Sequence, residues 1–436
     1  MRRVRLITLA VSGVVLMALT GLALFFQSQD DFDRFLAVAL IQGAVYLAAV
    51  WSVWRSGASR NVIFGIAAIA ALMRLPVVCA PPYLSTDVYR YVWDGRVIAA
   101  GINPYRYVPA DPQLQSLRDP DIFPNINRAG SAVTLYPPLA EAVFLGVTRI
   151  SESVTAMKAA MVAFEIVTFA LLLHLLAAER LPTGRVLVYA WHPLPLWEFA
   201  GSGHIDAALI TLVVAALWAA RRGRDGLSGL FLAGATLTKL YPAVLLPALY
   251  RRWGWAMPAV FVAAVVVGYL PFIGVGWRVL GFLPGYAGEE GFDAGGAGFY
   301  LLGLLHLFPP LATLSGRAYA AGALAVLLGL GAAIALTRDN ARSFGAATVL
   351  ATIFMVLVSP HYPWYFAWLI VFACFLRSIA LLWLTTACLL LYLVPVESHI
   401  VRDAHRLAVE TMIYAPFAVL AVVDLWYHRR RATWSS

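Results

Sequence analysis

Long apolar segments separated by short arginine clusters are the feature that most constrains how this chain can fold. A helix crosses the hydrocarbon core of a bilayer with about 20 apolar residues. Hydrophobic residues make up 61% of the 436 residues and charged residues 13%, whereas soluble domains are about half apolar and about a quarter charged. We therefore expect an all-α polytopic membrane protein. The net charge of +9 does not imply a nucleic-acid partner, because the arginines cluster at predicted helix ends.

The arginine clusters also predict the topology. When the apolar segments between these clusters are taken as membrane spans, both termini and all the clusters lie on the cytoplasmic side. Pairs such as 226–238 and 241–250 are too short to cross alone and are expected to form half-buried hairpins around a cavity, so we expect about 12 to 14 transmembrane helices. The first run is expected to be an uncleaved span, since it lacks a small-x-small cleavage site before Gln27. The segments lie near 6–26, 35–54, 61–80, 154–178, 184–200, 204–220, 226–238, 241–250, 256–273, 316–337, 343–358, 364–376, 378–394 and 407–427.

Two long loops fall outside the cytoplasm in this topology, at 81–153 and 274–315. Nothing in either loop marks a separate soluble domain, so residues 1–436 are predicted to form a single integral-membrane domain. The three cysteines, Cys79, Cys374 and Cys388, lie in apolar segments. This placement predicts buried thiols rather than a disulfide framework or a metal site.

The first of these loops opens with a densely charged stretch, STDVYRYVWDGRVIAAGINPYRYVP at 85–109. The pattern predicts a helix that ends before Gly101. At helical spacing, Asp87, Arg90 and Asp94 share one face. We expect an amphipathic juxtamembrane helix that lies flat on the membrane and turns these three side chains toward a cavity.

A third side of the same helix carries Tyr89, Trp93 and Arg96, which suit the lipid headgroup region. Arg96 fits an interfacial anchor better than a phosphate ligand, which is the alternative role.

Four further polar islands interrupt the apolar sequence. In the predicted topology they reach the same side of the membrane as the charged helix, with His192 as an exception inside a span. Ionisable groups at membrane level are costly unless they are paired or reach water, so their convergence predicts a cavity with a chemical role. The islands contain Glu198, His204 and Asp206; Lys239 and Tyr241; His361 and Tyr362; and Glu397 and His399.

The order of these motifs resembles the membrane-integrated glycosyltransferases of the C type. It is most similar to the polyprenyl-phosphate-sugar-dependent mannosyltransferase-like proteins and the glycosyltransferase 87 family. One departure is that the signature segment here follows the third predicted span, whereas it commonly follows the first. The motifs are DVYRYVWDGRVIAAGINPY at 87–105, YPPL at 136–139, GHIDA at 203–207, TKLYP at 238–242 and SPHYPWY at 359–365.

The resemblance implies a GT-C-like helical bundle and an inverting sugar transfer that uses no metal or other cofactor. The implied donor is a polyprenyl-monophosphate sugar, with mannose favoured, and the implied acceptor is an envelope lipid or glycan. The resemblance further implies a multi-pass enzyme of the bacterial inner membrane whose active site faces the periplasm. Besides the donor and the acceptor, such an enzyme interacts with the lipid bilayer.

Such a transfer needs a base for the acceptor hydroxyl and fixed cations for the departing phosphate. Asp87 is the expected base and Asp94 the alternative, since burial raises the pKa of a carboxylate. Candidate donor-phosphate ligands are Lys239, Arg90, His204, His361 and, less favoured, Arg96. Candidate substrate-binding residues are Tyr89, Asp206, Tyr241, Tyr362 and Glu198.

These residues also have structural interpretations. Asp87 suits the first turn of a helix, where the helix dipole favours a carboxylate, and Asp94 can simply pair with Arg90. His204 and Asp206 can cap a tight turn between glycines. Their spacing also fits a pair of metal ligands, but no third ligand is near in sequence.

Two other functions are compatible with a membrane chain of this kind. A polytopic transporter or lipid flippase predicts internal repeats and charges near mid-membrane in both halves, and the sequence shows neither clearly. A structural factor in envelope assembly does not need so many ionisable groups facing one cavity.

Overall fold

The computed structural model describes residues 2–54, 58–283, 285, 288, 298–336, 344–394 and 404–433. All regular secondary structure in these ranges is helical. The α-helices are α1 (Arg2–Ser28), α2 (Phe32–Val53), α3 (Arg60–Cys79), α4 (Asp87–Ala99), α5 (Pro138–Thr148), α6 (Val154–Ala178), α7 (Leu187–Ala190), α8 (Pro193–Pro195), α9 (Asp206–Arg221), α10 (Asp225–Thr236), α11 (Leu246–Leu249), α12 (Ala256–Tyr269), α13 (Tyr300–Leu305), α14 (Gly316–Leu336), α15 (Phe344–Val358), α16 (Leu369–Phe375), α17 (Ile379–Ala387) and α18 (Ala404–Thr433).

Short helical turns link these elements. A π-helical turn occupies Leu196–Gly201. The 3₁₀ turns are Pro112–Leu117, Phe123–Asn125, Thr183–Val186, Tyr241–Leu245, Leu270–Leu280, Pro309–Leu311, Pro363–Phe366 and Cys388–Leu393.

Seven helices of the described chain are long and apolar enough to cross a membrane. The prediction of a polytopic helical membrane protein is therefore confirmed. Other predicted spans fall on shorter helices, such as α9 with 16 residues and α15 with 15. The seven are Val4–Ser28, Phe32–Val53, Arg60–Cys79, Val154–Ala178, Ala256–Leu280, Gly316–Leu336 and His405–Tyr427.

The predicted span at 184–200 is broken into short turns at the centre of the molecule. Prolines at 193 and 195 remove backbone donors and interrupt the helix. Every residue from 184 to 200 is buried within protein, and irregular backbone at membrane depth is tolerated only in such surroundings. The break turns the chain toward the end of the bundle where α4 begins.

Two buried cations tie α3 to α6. The Lys158 ammonium donates to the carbonyls of Val77 and Ala80, at 2.9 and 2.5 Å, and so caps the end of α3. One turn earlier, Arg74 makes a two-pronged ion pair with Glu165, at 2.6 and 3.0 Å. Burying a charge costs much less when hydrogen bonds or an ion pair satisfy it. These contacts fix the direction in which the chain leaves α3 toward α4.

The predicted helix at 87–99 forms, and it packs tightly on α5. A Cβ at Gly95 would lie 2.6 Å from both the Phe144 carbonyl and the Thr148 hydroxyl, so only glycine permits this approach. The expectation that Trp93 faces the headgroups is wrong. Its side chain is 1% exposed and packs on Phe123 at 5.5 Å between ring centroids.

Trp93 is buried because residues 110–134 fold over that side of α4. Arg96, on the same side, pairs with Asp119 and, at 2.8 Å, with Glu152. Burial alone would raise the pKa of Asp119, but hydrogen bonds from Arg96 and from the N–H groups of Ile122 and Asp121 lower it. Arg96 thus fastens the loop to α4.

Candidate active site

A cavity of about 510 Å³ lies at the end of the bundle where α4 begins. Its wall combines the start of α4 with the loop before α5, the turn after α10 and the SPHYPWY segment. The lining residues are Tyr83, Leu84, Ser85, Thr86, Asp87, Arg90, Asn127, Arg128, Ala132, Val133, Leu135, Tyr136, Lys239, Phe282, Tyr362, Trp364 and Tyr365.

Asp87 is the carboxylate among the described residues of this lining. It is the first residue of α4, and its side chain is 22% exposed. Its Oδ1 accepts a hydrogen bond from the Asn127 amide at 2.8 Å, and its Oδ2 accepts one from the Tyr136 hydroxyl at 3.3 Å. Burial raises the pKa of Tyr136 well above its usual value, so this phenol stays protonated and remains a donor. The carboxylate is held by two donors and still reaches the cavity.

In the described part of the wall, three cationic side chains accompany Asp87: Arg90, Arg128 and Lys239. The Lys239 ammonium donates to Asp206 Oδ2 at 2.6 Å and lies 4.6 Å from the centroid of the Tyr365 ring. Arg90 is fixed by Asp94, at 2.8 Å, and by the Ala132 carbonyl, at 3.1 Å. These contacts hold positive charge at fixed positions beside an open space, which is an arrangement that binds anions.

Asp206, which anchors Lys239, is itself 1% exposed and opens α9. Its second oxygen accepts a hydrogen bond from the Tyr241 hydroxyl at 3.0 Å. The GHIDA and TKLYP motifs therefore meet in a single ion-pair cluster, in which Asp206 and Tyr241 position Lys239 without lining the cavity.

His204 lies directly behind Asp87 and is fully buried. Its Nδ1 is 3.9 Å from Asp87 Oδ2, and its Nε2 is 3.4 Å from Glu198 Oε2. Within the described residues, neither ring nitrogen makes a hydrogen bond of good geometry. The imidazole stacks on Trp364 at 4.1 Å between ring centroids. His204 thus connects the cavity carboxylate to a second, buried carboxylate.

Gly203 makes this position of His204 possible. Its φ is +75°, which falls in the left-handed region where glycine carries no steric cost. A Cβ there would lie 2.9 Å from Val88 Cγ2 and 3.1 Å from Lys158 Cγ. The turn before α9 therefore packs directly against the first turn of α4.

Several predicted site residues lie outside the lining. Asp94 is 2% exposed and faces Arg90, and burial raises its pKa despite that cation. His361 is 5% exposed, and its Nε2 lies 3.0 Å from the Gly298 carbonyl. Tyr89 is half-buried on α4, away from the cavity. Arg96 fastens the loop, as described above.

Of the remaining predicted residues, Tyr362 lines the cavity, where its ring stacks on Trp364 at 4.4 Å between centroids. Glu198 is fully buried and accepts a hydrogen bond from Tyr392 at 2.6 Å. The polar island at 397–399 lies outside the described residues.

The sequence reasoning missed Asn127 and Arg128. Both lie in the irregular segment NINRAG at 125–130, which carries no periodic signal. Asn127 reaches Asp87 across 40 positions of the chain. Arg128 adopts a φ of +54°, which is uncommon for a residue with a side chain. Such a conformation at a cavity wall is visible only in the structure.

A family model matches this chain over residues 5–257; its description is MptA_B family, alpha-(1->6)-mannopyranosyltransferase, N-terminal domain. The matched range is more than half of the 436 residues. It contains Asp87, His204 and Lys239, whereas the aromatic wall at 362–365 lies beyond it. No curated protein matches the chain.

Proposed function

We propose that this chain, which belongs to the alpha-(1->6)-mannopyranosyltransferase family, transfers mannose from a polyprenyl-monophosphate donor to a lipid or glycan acceptor. Family membership makes the protein a membrane glycosyltransferase. The donor lipid, the acceptor, the side of the membrane and the residue roles are the parts proposed. One observation supports them most: Asp87 and three cations line the same cavity at one end of the bundle.

In this proposal Asp87 is the general base. It takes the proton from an acceptor hydroxyl as that oxygen attacks the anomeric carbon of the sugar. Asn127 and Tyr136 hold the carboxylate by one hydrogen bond to each oxygen, which leaves further lone pairs directed at the cavity. A positioned base of this kind contributes about 10² to 10⁴ in rate.

The cations stabilise the leaving group. When the bond between the anomeric carbon and the phosphate oxygen breaks, its electrons go to that oxygen. The departing lipid phosphate therefore gains one negative charge. Lys239 and Arg90 are held by Asp206 and Asp94 and need no rearrangement when that charge develops, which is the condition for strong electrostatic stabilisation. Arg128 adds a third cation to the same wall.

A single displacement inverts the anomeric centre, so an α-linked product requires a β-linked donor. Stacked aromatic rings at Tyr362 and Trp364 supply the flat apolar wall against which a pyranose ring can pack.

A groove beside the cavity suits the polyprenyl chain. It has a volume of about 180 Å³ and shares Leu135 and Tyr136 with the cavity wall. Its other side is formed by Leu240, Tyr269 and Leu280. None of the residues in the most apolar window of the span Ala256–Leu280 is buried, so the groove opens toward lipid.

The cavity faces the extracytoplasmic side in this proposal. The distribution of arginines supports this orientation. The clusters at 221–224 and 251–252 lie at the end of α9 and just before α12, and basic loops favour the cytoplasm. The beginning of α9, with Asp206, lies at the cavity end. Family membership and a cavity at one end favour a transferase over the transporter or flippase.

The test is transfer by the purified full chain, with radiolabelled mannosyl polyprenyl phosphate and envelope extract as substrates. Asp87→Asn is expected to lower turnover at least about a hundredfold. Asp121→Asn, an exposed acid in the same loop, is the matched control and is expected to retain turnover. Retained turnover in Asp87→Asn, or equal use of a nucleotide-activated mannose, would refute the proposal.

A further inference from the structure

A second charged cleft lies at the opposite end of the bundle from the catalytic cavity. Helix α2 begins beside the cavity, where Phe32 meets Tyr83 at 6.1 Å between ring centroids. The 22 residues of α2 then span about 33 Å, at about 1.5 Å per residue. At its far end is a cleft of about 470 Å³ between α1, α2, the start of α17 and α18. The proposed reaction uses none of its residues.

Charge and aromatic rings mark this cleft. Its lining includes Arg5, Arg377 and Asp424, together with Trp51, Trp54, Trp426 and Tyr427. Arg377 donates to the Trp54 carbonyl at 2.7 Å. Arginine forks match phosphate oxygens, and tryptophans collect at the level of lipid headgroups.

Asp424, the acidic residue of the described lining, does not cancel the positive charge of the two arginines. It accepts hydrogen bonds from the Ser378 hydroxyl, at 2.8 Å, and from the Ala380 N–H, at 3.1 Å. These bonds commit Asp424 to the first turn of α17. Among the described residues of the lining, two guanidinium groups and one carboxylate give a net charge of about +1 at neutral pH.

An apolar groove continues from the cleft into the bilayer region. It has a volume of about 170 Å³ and shares Trp51, Trp54 and Ile379 with the cleft. Beyond these shared residues, the wall of the groove consists of aliphatic and aromatic side chains. These are Leu47, Val50, Leu382, Trp383 and Leu420.

We propose that this composite cleft binds an anionic phospholipid of the leaflet opposite the catalytic cavity. The phosphate lies between Arg5 and Arg377, and one acyl chain enters the groove. Counted over the described residues, the lining charge of about +1 matches the single charge of a phosphodiester better than the nearly double charge of a free polyprenyl phosphate that carries no sugar. The groove of about 170 Å³ holds the first part of an acyl chain.

The test is native mass spectrometry of the full chain, titrated with phosphatidylglycerol, phosphatidylcholine or a short polyprenyl phosphate. Phosphatidylglycerol is expected to bind about tenfold more tightly than phosphatidylcholine. Arg5→Gln and Arg377→Gln are each expected to weaken it about tenfold. Arg252→Gln, an exposed arginine outside the cleft, is the control and is expected to bind as the wild type does.

A further variant tests whether a loss of binding in the arginine variants comes from misfolding. Leu420→Trp fills the groove while keeping both arginines, and it is expected to lose phosphatidylglycerol with an unchanged thermal unfolding midpoint. Equal binding of the two phospholipids, or wild-type affinity in both arginine variants, would overturn the proposal. Preferred binding of polyprenyl phosphate would overturn it too, since the cleft would then serve a carrier lipid.

Discussion

Replacing Gly203 with alanine gives the sharpest test of how the site is held together. Gly203 lies in the left-handed region, with φ +75°, and its Cα faces Val88 and Lys158. An added methyl group therefore meets two separate obstacles, the backbone conformation and the packing. Gly101 is a matched control, because its φ is +77° and nothing lies within 4 Å of its added Cβ.

The two variants share the conformational cost and differ in the packing cost. A left-handed residue other than glycine costs about 1–2 kcal/mol, and this applies to both. At Gly203 the Cβ also lies 2.9 Å from Val88 Cγ2 and 3.1 Å from Lys158 Cγ, and overpacking of this kind costs about 1–3 kcal/mol. We expect destabilisation of about 2–5 kcal/mol for Gly203→Ala, against about 1–2 kcal/mol for Gly101→Ala.

The packing cost also predicts a loss of activity. Val88 follows Asp87, so a shift that relieves the contact moves the first turn of α4 and the proposed base with it. A misplacement of about 1 Å at a reacting group can cost about a hundredfold in rate. The assays are equilibrium unfolding in mixed micelles and sugar transfer at saturating donor, both on the purified full chain.

A double-mutant cycle separates strain from contact. Val88→Ala removes the methyl group that Gly203→Ala approaches, so the double variant is expected to regain part of both stability and turnover relative to Gly203→Ala. Equal losses of stability in Gly203→Ala and Gly101→Ala, with wild-type turnover in both, would contradict a packing role for Gly203. In that case the turn before α9 would not position Asp87.

Three further predictions concern single charges. Lys239→Gln is expected to raise the KM for the donor about tenfold with little change in the acceptor KM; equal KM values for the donor in initial-rate kinetics would remove Lys239 from the phosphate site. Glu165→Leu leaves the Arg74 charge buried without its partner and is expected to cost about 3–5 kcal/mol, most of which the double variant with Arg74→Met should recover; a double variant as unstable as the single one in micelle unfolding would contradict this. The lowered pKa of Asp119 contributes stability above the unfolded value of about 3.9 that is lost as pH falls; Asp119→Asn should flatten the decline of the unfolding midpoint below pH 4, and an unchanged decline would argue against it.

The membrane-helix architecture followed from the sequence because it depends on local properties. Apolar length decides whether a helix can span a bilayer. The helix at 87–99 was likewise visible from its polar periodicity. That periodicity could not distinguish the two acids of the helix, since both Asp87 and Asp94 lie on one face. The structure separates them: Asp94 is buried against Arg90, and Asp87 opens to the cavity.

The lengths of the apolar segments were enough to identify a bundle of membrane helices. Which charged side chains share one space depended on the fold: Asp87, Arg90 and Lys239 line one cavity, whereas Arg5, Arg377 and Asp424 line a cleft at the other end. Asn127 reaches Asp87 across 40 positions and Lys239 reaches Asp206 across 33. Such contacts depend on how irregular loops and a proline-broken central segment fold over α4. Those conformations are fixed by packing between distant segments, for which a single sequence carries no periodic signal.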